Sequence, residues 1–168
     1  MMLYDEMIIE MTKVIKPMKG KRLLETGTGF GHSAKFFADL KKDWTIYTVD
    51  SYGLCGDGRV YSQWNPEDVN KVFDYFKECK NIVPILHDSR TLHWELPLDV
   101  LYIDAGHTYE SCKADFDNYS LFLKKGGIII FDDYTQPNNP TNGVKKVVDE
   151  LIGYKLIYAG IGAILIKI

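Results

Sequence analysis

The chain has 168 residues, of which 46% are hydrophobic, and its formal net charge is −3. That length and apolar content fit a single domain with a full core, and the charge gives no electrostatic case for a nucleic-acid or anionic-membrane partner. No apolar run approaches the roughly 20 residues of a membrane span, and the acidic residues among the first ten do not suit a signal peptide. The three scattered cysteines fit reduced thiols, so we expect a cytoplasmic location.

The first half of the chain alternates helical and extended patterns. Apolar residues at helical spacing predict an opening helix within residues 1–16. Strands are expected over 22–26 and 44–50, the second of which is rich in β-branched and aromatic residues. Between them a helix is predicted from His32 onwards, and Pro66 marks the first position of another helix.

The second half continues this alternation. Buried parallel strands have continuous apolar sequences, and such runs predict strands over 82–87, 99–104 and 128–132. A helix is expected over 110–123, with two lysines favoured by its C-terminal dipole and two glycines as its end. Strand and helix units in alternation favour a parallel sheet with helices on both faces.

The end of the chain differs from the rest. After a helix with a valine-rich face come two extended runs, 154–158 and 161–168. Their join is too short for a crossover helix, so the pair is predicted to be an antiparallel hairpin. The whole pattern predicts a single α/β domain over residues 1–168, with a mostly parallel seven-stranded sheet, helices on both faces and an antiparallel C-terminal hairpin.

The most informative motif is the turn after the first strand, Glu25-Thr26-Gly27-Thr28-Gly29-Phe30-Gly31. An α/β fold builds a nucleotide site from a strand, a glycine turn and a helix, because glycine adopts positive φ and lets a ligand approach bare backbone. An acid at the strand tip repels a diphosphate but can hold an ammonium group. This spacing and the acid resemble motif I of the class I S-adenosylmethionine-dependent methyltransferases, whose fold also ends in an antiparallel hairpin.

The resemblance implies a Rossmann-like methyltransferase fold with S-adenosylmethionine as cofactor. Asp50 matches the family's acid that accepts from both ribose hydroxyls, and Asp88 with Ser89 resembles the position at the adenine edge. Glu25 would hold the ammonium of the methionine part through backbone or water. Helix or turn capping is the alternative explanation for Asp50, Asp88 and Ser89. The residues expected at the cofactor are Glu25, Thr26, Gly27, Thr28, Gly29, Phe30, Gly31, Ser33, Asp50, Ser51, Asp88, Ser89 and Asp104.

A second block joins residues 100–110, at the end of the fourth strand, with residues 131–134, at the end of the fifth. Together they resemble the metal-dependent small-molecule O-methyltransferases of sugar and catechol type (methyltransferase family 24-like). The resemblance implies one divalent cation, Mg²⁺ or Ca²⁺, held by Asp104, Asp132 and Asp133, and carboxylate oxygens suit such hard ions. The alternative is that the last two residues cap the turn before the next helix.

His107 follows Asp104 by three residues, where catechol-type enzymes place a lysine base. With an ordinary pKa it would take a proton from an acceptor hydroxyl at neutral pH, so His107 and Asp104 are the expected catalytic residues. The alternative for His107 is a helix-start histidine bonded to nearby backbone. The aromatic walls expected for adenine or acceptor are Phe30, Tyr52, Trp64 and Tyr134.

The predicted function is Mg-assisted methylation of a small-molecule hydroxyl, with residues 51–65 and 134–142 as active-site loops. Sugar, phenol and small acid are all open as acceptors, and a homodimer is one way to close the cleft of so short a domain. The alternatives are a metal-independent methyltransferase, a nicotinamide-dependent oxidoreductase and a non-catalytic nucleotide-binding module of the same fold.

Overall fold

Helices and strands alternate along the chain, and the computed structural model describes residues 5–53, 66–135 and 143–168. In chain order the elements are α1 Asp5–Ile15, β1 Arg22–Thr26, α2 His32–Leu40, β2 Thr45–Asp50, α3 Pro66–Phe76, β3 Ile82–Leu86, β4 Leu98–Ile103, α4 Tyr109–Tyr119, β5 Leu123–Phe131, α5 Gly143–Asp149, β6 Tyr154–Ala159 and β7 Ala163–Lys167. A short 3₁₀ turn over Ser120–Phe122 joins α4 to β5.

The strands form one seven-stranded sheet in the order β3-β2-β1-β4-β5-β7-β6. Strands β1 to β5 are parallel, whereas β7 is antiparallel to both β5 and β6. The predicted α/β class, strand number and terminal hairpin are therefore confirmed. The strand order reverses between β1 and β4, and ligands of open α/β sheets bind at such a switch point, outside the carboxyl ends of the strands.

Helices cover both faces of the sheet, because successive residues of a buried strand point to opposite sides. On one face α1, α2 and α3 pack on the sheet, with Met7 and Phe37 in contact with the same apolar cluster as Tyr102 of β4. On the other face α4 and α5 contribute Cys112 and Val147 to a second cluster. The two cores hold the strands in place and leave the carboxyl edge to polar side chains.

The helix predicted over 110–123 is wrong at its C-terminal end. Helix α4 ends earlier and β5 already begins at Leu123, so the two lysines and two glycines lie in a strand. The reason is a β-bulge, since the β5 partners of Leu98 and Val100 jump from residue 123 to residue 128. Gly126 adopts a φ of +77° within this bulge, a conformation that glycine takes without strain.

The strand predicted over 128–132 is likewise wrong at its start, which lies at Leu123, and the remaining predicted elements agree with the structure to within about two residues, a usual difference at element ends. Two predictions fall largely outside the described residues. Of the expected active-site loops, 54–65 with Trp64 and 136–142 cannot be placed. Within the described ranges no helix is both long and apolar enough to cross a membrane.

Candidate active site

The carboxyl ends of β1, β4 and β5 meet at one edge of the sheet, so the residues that follow these strands lie side by side. Backbone hydrogen bonds continue past the strands. Asp104 N donates to Thr26 O at 2.9 Å, and Asp132 N donates to Ile103 O at 3.0 Å. The glycine turn is joined to β2 in the same way, because Gly27 N donates to Val49 O at 2.8 Å. The predicted cofactor residues and the predicted acids therefore share one edge.

The turn after β1 requires glycine where it meets β4. Gly27 has a φ of +89°, a region that residues with a Cβ rarely adopt. A Cβ there would lie 2.2 Å from the carbonyl oxygen of Asp104. Gly29 also has a positive φ, of +49°, but a Cβ at this position would meet nothing within 4 Å. The turn thus packs backbone against backbone at the tip of β4.

Glu25 lies beneath this turn and is fully buried. Its carboxylate accepts from the hydroxyls of Ser33 on α2 and Thr48 on β2, and Thr48 shares a 2.7 Å hydrogen bond with Thr28. Burial raises the pKa of Glu25 to about 8, although both hydroxyls act to lower it. In the structure Glu25 therefore holds the turn from below, and its expected hold on an ammonium through backbone or water stays a prediction.

Thr48 is a site residue that no sequence motif predicts. Parallel pairing places it directly opposite Glu25, and its hydroxyl connects that carboxylate to the glycine turn. The pairing of β1 with β2 is the signal that would have found it. If the predicted strand ends were aligned, residue 26 would pair with residue 50, whereas the structure pairs Thr26 with Val49. A slip of one residue moves every side chain to the other face of the sheet.

Asp50 ends β2 and closes the glycine turn from the side. Its Oδ2 accepts from Gly29 N at 3.0 Å, and its Oδ1 accepts from Tyr52 N at 2.8 Å. The next residue, Ser51, is half-buried and accepts at 3.4 Å from Gly53 N. Carboxylate oxygens have several lone pairs, so Asp50 retains capacity for a ribose diol. Its ribose role is compatible with this geometry and stays a prediction.

At the tip of β3, Asp88 is already supplied with donors. Arg90 donates to it from its backbone N, Nε and Nη2, at 3.0, 2.9 and 2.6 Å, and these bonds lower the pKa of Asp88. Ser89 beside it is buried, and its carbonyl accepts from the hydroxyl of Tyr119 on α4. The adenine roles of both residues stay predictions, and a contact through Asp88 would compete with Arg90.

His107 lies between two of the three predicted metal-binding carboxylates. Its Nδ1 is 2.8 Å from Oδ2 of Asp133, and its Nε2 is 3.5 Å from Oδ1 of Asp104. The same Oδ1 is buried and has no hydrogen-bond partner in the described part of the chain, while Oδ2 accepts from the Tyr102 hydroxyl at 3.3 Å. Asp132 and Asp133 are buried and His107 is 31% exposed. The structure thus brings the predicted catalytic and metal residues together.

The titration of this cluster reflects its excess of negative charge. Burial, and then repulsion by Asp104 and Asp133, raises the pKa of Asp132 to about 8, and burial raises the pKa of Asp104 as well. Burial lowers the pKa of His107, but its contacts with Asp104 and Asp133 outweigh this and raise the pKa to about 10. The imidazole therefore carries a proton at neutral pH in this arrangement, which corrects the expectation of an ordinary histidine pKa.

The three carboxylates suit a hard divalent cation in kind, because they offer only oxygen and Oδ1 of Asp104 lacks a donor. They do not form a ready cage, however. Over residues 5–53, 66–135 and 143–168, no three histidine, cysteine, aspartate or glutamate side chains are arranged to hold a metal ion. Asp133 faces the imidazole instead, so Asp104 and Asp132 are the two that a cation would meet first. The three-carboxylate site stays a prediction.

The segment that carries His107 is held by two helices. Thr108 caps α4, where its Oγ1 accepts from Ser111 N at 3.2 Å. Helix α5 begins against the same segment, because a Cβ at Gly143 would lie 2.5 Å from His107 O and 2.3 Å from Tyr109 N. Gly143 was not predicted as a site residue, and only this close approach of two backbones reveals it.

Three of the four expected aromatic walls fall in described residues. Phe30 is 54% exposed and its ring lies 6.2 Å from that of His32, between centroids. Tyr52 and Tyr134 are buried, and the Tyr134 hydroxyl donates to Asp149 on α5 at 2.9 Å. Of these three, Phe30 is the one whose side chain is mostly exposed.

Known proteins resemble this chain over most of this region. A family model described as "Methyltransferase domain" matches residues 24–134, which run from β1 to just beyond Asp133. Among curated proteins, the uncharacterized protein R132 of Acanthamoeba polyphaga mimivirus is 46% identical over 37 residues. That local match spans 22% of this chain and 17% of the relative's length.

Several solved structures resemble nearly the whole chain. The O-methyltransferase NovP has a TM-score of 0.73 at 22% identity, over 96% of this chain and 78% of its own. SMU.1697c from Streptococcus mutans, solved in complex with SAH, has a TM-score of 0.72 at 14% identity, over 99% and 100%. An rRNA methylase from Streptococcus thermophilus has a TM-score of 0.70 at 14% identity, over 99% and 98%. At these identities the likeness establishes a shared fold.

Proposed function

Because the chain belongs to the methyltransferase family whose domain model matches residues 24–134, we propose that it transfers the methyl group of S-adenosylmethionine to a hydroxyl oxygen of a small molecule. One observation carries the proposal. The glycine turn with Asp50, and the cluster of Asp104, His107 and Asp133, meet at the same edge of the sheet. The proposed cofactor site and the proposed proton-handling site would therefore be adjacent, as methyl transfer to oxygen requires.

The cofactor would lie across the tips of β1, β2 and β3. The glycine turn offers backbone for the methionine part, and Asp50 would accept from the ribose hydroxyls. Ser89 would take the adenine edge, next to Asp88. The exposed ring of Phe30 lies at the same turn and would add an apolar wall. The solved complex of SMU.1697c with SAH supports this ligand class for the fold.

The main work of the protein would be to hold two reactants in line, an effect worth up to about 7–11 kcal/mol in favourable systems. The acceptor hydroxyl would donate to Oδ1 of Asp104, which is buried and lacks a donor among the described residues. As the acceptor oxygen attacks the methyl carbon and the bond from that carbon to sulfur breaks, Asp104 would take this hydrogen and pass it to His107, whose Nε2 lies 3.5 Å from the same Oδ1 and whose Nδ1 faces Asp133. To act as a base, the imidazole must first lose the proton it carries at neutral pH.

A divalent cation, Mg²⁺ or Ca²⁺, fits this scheme through Asp104 and Asp132. When bound, it would supply positive charge that neutralises these two carboxylates, acidifies an acceptor hydroxyl and lowers the pKa of His107. Asp133 would join as a third ligand only if it leaves the imidazole. The raised pKa of Asp132, about 8 from burial and the neighbouring carboxylates, supports a need for such charge.

Metal-free methyl transfer is the second candidate, and the position of His107 favours it. The protonated imidazole lies against Asp104 and Asp133 and already supplies one positive charge to the cluster. In this version Asp104 positions the acceptor hydroxyl directly. Activity that survives EDTA would select this candidate over the first.

A small-molecule acceptor is supported by the charge of the site. The edge that would receive the acceptor carries Asp104, Asp132 and Asp133, and the chain has a net charge of −3. RNA phosphates would be repelled by such an edge, although one structural relative is an rRNA methylase. The O-methyltransferase NovP is a structural relative whose acceptor atom, oxygen, agrees with the proposal.

The test is a turnover screen that follows the release of S-adenosylhomocysteine. The protein would be supplied with S-adenosylmethionine and with panels of sugars, phenols, small acids and, as a contrast, short RNAs, each with Mg²⁺ or with EDTA. The proposal expects turnover with one of the small hydroxyl compounds and a loss of rate in EDTA. Turnover with RNA alone would contradict the acceptor class, and turnover unaffected by EDTA would remove the metal.

A further inference from the structure

Helix α5 contacts both of the segments that meet in the candidate site, the one that carries His107 and the one that carries Asp133. Gly143, its first residue, packs on the backbone of the first segment, where a Cβ would lie 2.5 Å from His107 O. On the second segment, the hydroxyl of Tyr134 donates to Asp149 at 2.9 Å. The two partners of the 2.8 Å contact between imidazole and carboxylate are therefore held by one helix.

The contact with the Asp133 segment is a cluster of three side chains. Tyr134 directly follows Asp133, and its side chain is buried. Its hydroxyl donates to Asp149 and accepts from Nζ of Lys145 at 3.4 Å. The same ammonium pairs with Asp149 and lies 5.0 Å from the centre of the Tyr134 ring. Hydrogen bonds to charged groups are stronger than neutral ones, so Tyr134 is fixed both at its ring and at its hydroxyl.

The contact with the His107 segment repeats this arrangement. Tyr109, which follows His107 by two residues, donates from its hydroxyl to Glu150 at 2.8 Å. Nζ of Lys146 lies 4.4 Å from the centre of the Tyr109 ring. One tyrosine from each segment therefore meets a lysine of α5 and an acid four residues after that lysine, on the same side of the helix. We call this set the α5 brace, and its members are Tyr109, Lys146, Glu150, Tyr134, Lys145 and Asp149.

Asp133 depends on such support because its backbone conformation is uncommon. Its φ of +55° lies in the left-handed region, where residues persist when the surrounding structure fixes them. The backbone on either side is held elsewhere, since Asp132 N donates to β4 and Thr135 N donates at 3.2 Å to the turn between β6 and β7. Between these two anchors, the side chain of Tyr134 connects the turn to α5. Loss of its hydroxyl would leave the turn anchored but release the residue next to Asp133.

We propose that Tyr134 and Asp149 are positioning residues of the proposed reaction. They keep Asp133 against the imidazole of His107 and thereby hold its other ring nitrogen at Asp104. This inference rests on the proposed function, in which the proton passes from the acceptor through Asp104 to His107. Such remote residues affect rate strongly, because a misplacement of about 1 Å costs roughly a hundredfold in turnover.

The first part of the test removes the hydroxyl and its acceptor separately and together. Tyr134→Phe and Asp149→Ala should each lower kcat roughly ten- to hundredfold, with the KM for S-adenosylmethionine unchanged. The double variant should lose no more than the larger single loss, because both changes break the same hydrogen bond. Asp149→Asn keeps an oxygen that accepts from the hydroxyl and should retain most of the rate. Tyr109→Phe breaks the more exposed bond of the α5 brace and should lose less than Tyr134→Phe.

The second part reads the position of the imidazole without turnover. In protein with nitrogen-15-labelled histidine, the ring nitrogen shifts of His107, assigned by their absence in His107→Ala, report the contact of Nδ1 with Asp133. These shifts should move in Tyr134→Phe and keep their wild-type values in Tyr75→Phe. Tyr75 is the matched control, because it lies on α3, on the other face of the sheet, and is 45% exposed.

Unchanged kcat in Tyr134→Phe, or a loss of kcat with unmoved His107 shifts, would overturn the inference. A fall in kcat that merely matches a fall in the number of S-adenosylhomocysteine sites would overturn it as well, since that result means less folded protein. If the wild type neither binds S-adenosylhomocysteine nor turns over, the proposed function fails and the role in turnover fails with it. The ring shifts then still decide whether Tyr134 holds Asp133 against His107.

Discussion

Nδ1 of His107 lies 2.8 Å from Oδ2 of Asp133, so this carboxylate holds the imidazole in place. Asp133 has a φ of +55°, a left-handed conformation that aspartate tolerates better than most residues. The contact fixes which ring nitrogen faces Asp104 and keeps the imidazole at the edge of the sheet.

Removal of the imidazole should affect turnover far more than cofactor binding. His107→Ala is expected to lower kcat by about 10²–10⁴-fold, the usual contribution of a positioned acid–base group. Asp133→Asn should lower kcat less, because the amide still fits the left-handed backbone but holds the imidazole weakly. Rates of S-adenosylhomocysteine release measure both, with Asp39→Asn, at an exposed pair with Lys35, as control. A large loss of S-adenosylhomocysteine affinity in His107→Ala would contradict the assigned role.

Asp132 should be needed for the cation and for turnover but not for the cofactor. Asp132→Asn removes a carboxylate whose pKa is raised to about 8 by burial and by Asp104 and Asp133. We expect turnover to be abolished and Mg²⁺ binding, measured by calorimetry without substrate, to be lost, while S-adenosylhomocysteine still binds. Asp104→Asn should abolish turnover in the same way. Normal methylation by both variants in EDTA would show that the metal scheme is wrong.

The glycine turn offers a matched pair of substitutions. Gly27→Ala places a Cβ 2.2 Å from the carbonyl oxygen of Asp104, whereas Gly29→Ala meets nothing within 4 Å, and both residues have positive φ. Gly27→Ala should therefore weaken S-adenosylhomocysteine binding by more than about tenfold, because a few kcal/mol of clash must be relieved by moving the turn. Gly29→Ala isolates the backbone strain and should lose much less. Equal losses would mean that packing against β4 is not what shapes the turn.

The stability of the protein should fall as pH rises, partly because of Glu25. Burial raises its pKa from 4.5 to about 8, so the folded chain binds this proton more tightly than the unfolded chain. The proton's contribution is complete at low pH and is lost as pH rises from about 4.5 through 8. Glu25→Gln removes that dependence, so the stability of the variant relative to wild type should increase with pH.

Urea denaturation at about pH 5 and about pH 9 measures this difference. Asp115 and Asp132 also have raised pKa values, from burial, and titrate in the same range in both proteins. Their contributions cancel when the variant is compared with the wild type. Parallel pH dependences for the two proteins would contradict a buried Glu25 that keeps its proton at neutral pH.

Much of the fold could be predicted because its signals are local. Continuous apolar runs mark the buried parallel strands, and a join of two residues forces the last two strands into a hairpin. The start of β5 was missed for a non-local reason. The bulge that absorbs Gly126 exists because β4 pairs with both sides of it, and a glycine pair after a helical pattern resembles a helix end equally well.

Of the candidate site, only the residues that directly follow a strand could be predicted from the sequence. Residues after parallel strands share an edge, which brought Asp104 and Asp132 together. That His107 would insert beside Asp133 depends on one left-handed residue, and no pattern in the sequence specifies that.

We expect the edge formed by the glycine turn, Asp50 and Ser89 to bind S-adenosylmethionine. Calorimetric titration of the purified protein with S-adenosylhomocysteine, with and without Mg²⁺, tests it most directly. We predict saturable one-to-one binding in the micromolar range that is strongly weakened by Gly27→Ala. Absence of binding in both conditions, from a protein shown to be folded, would contradict the claim and every residue role that depends on it.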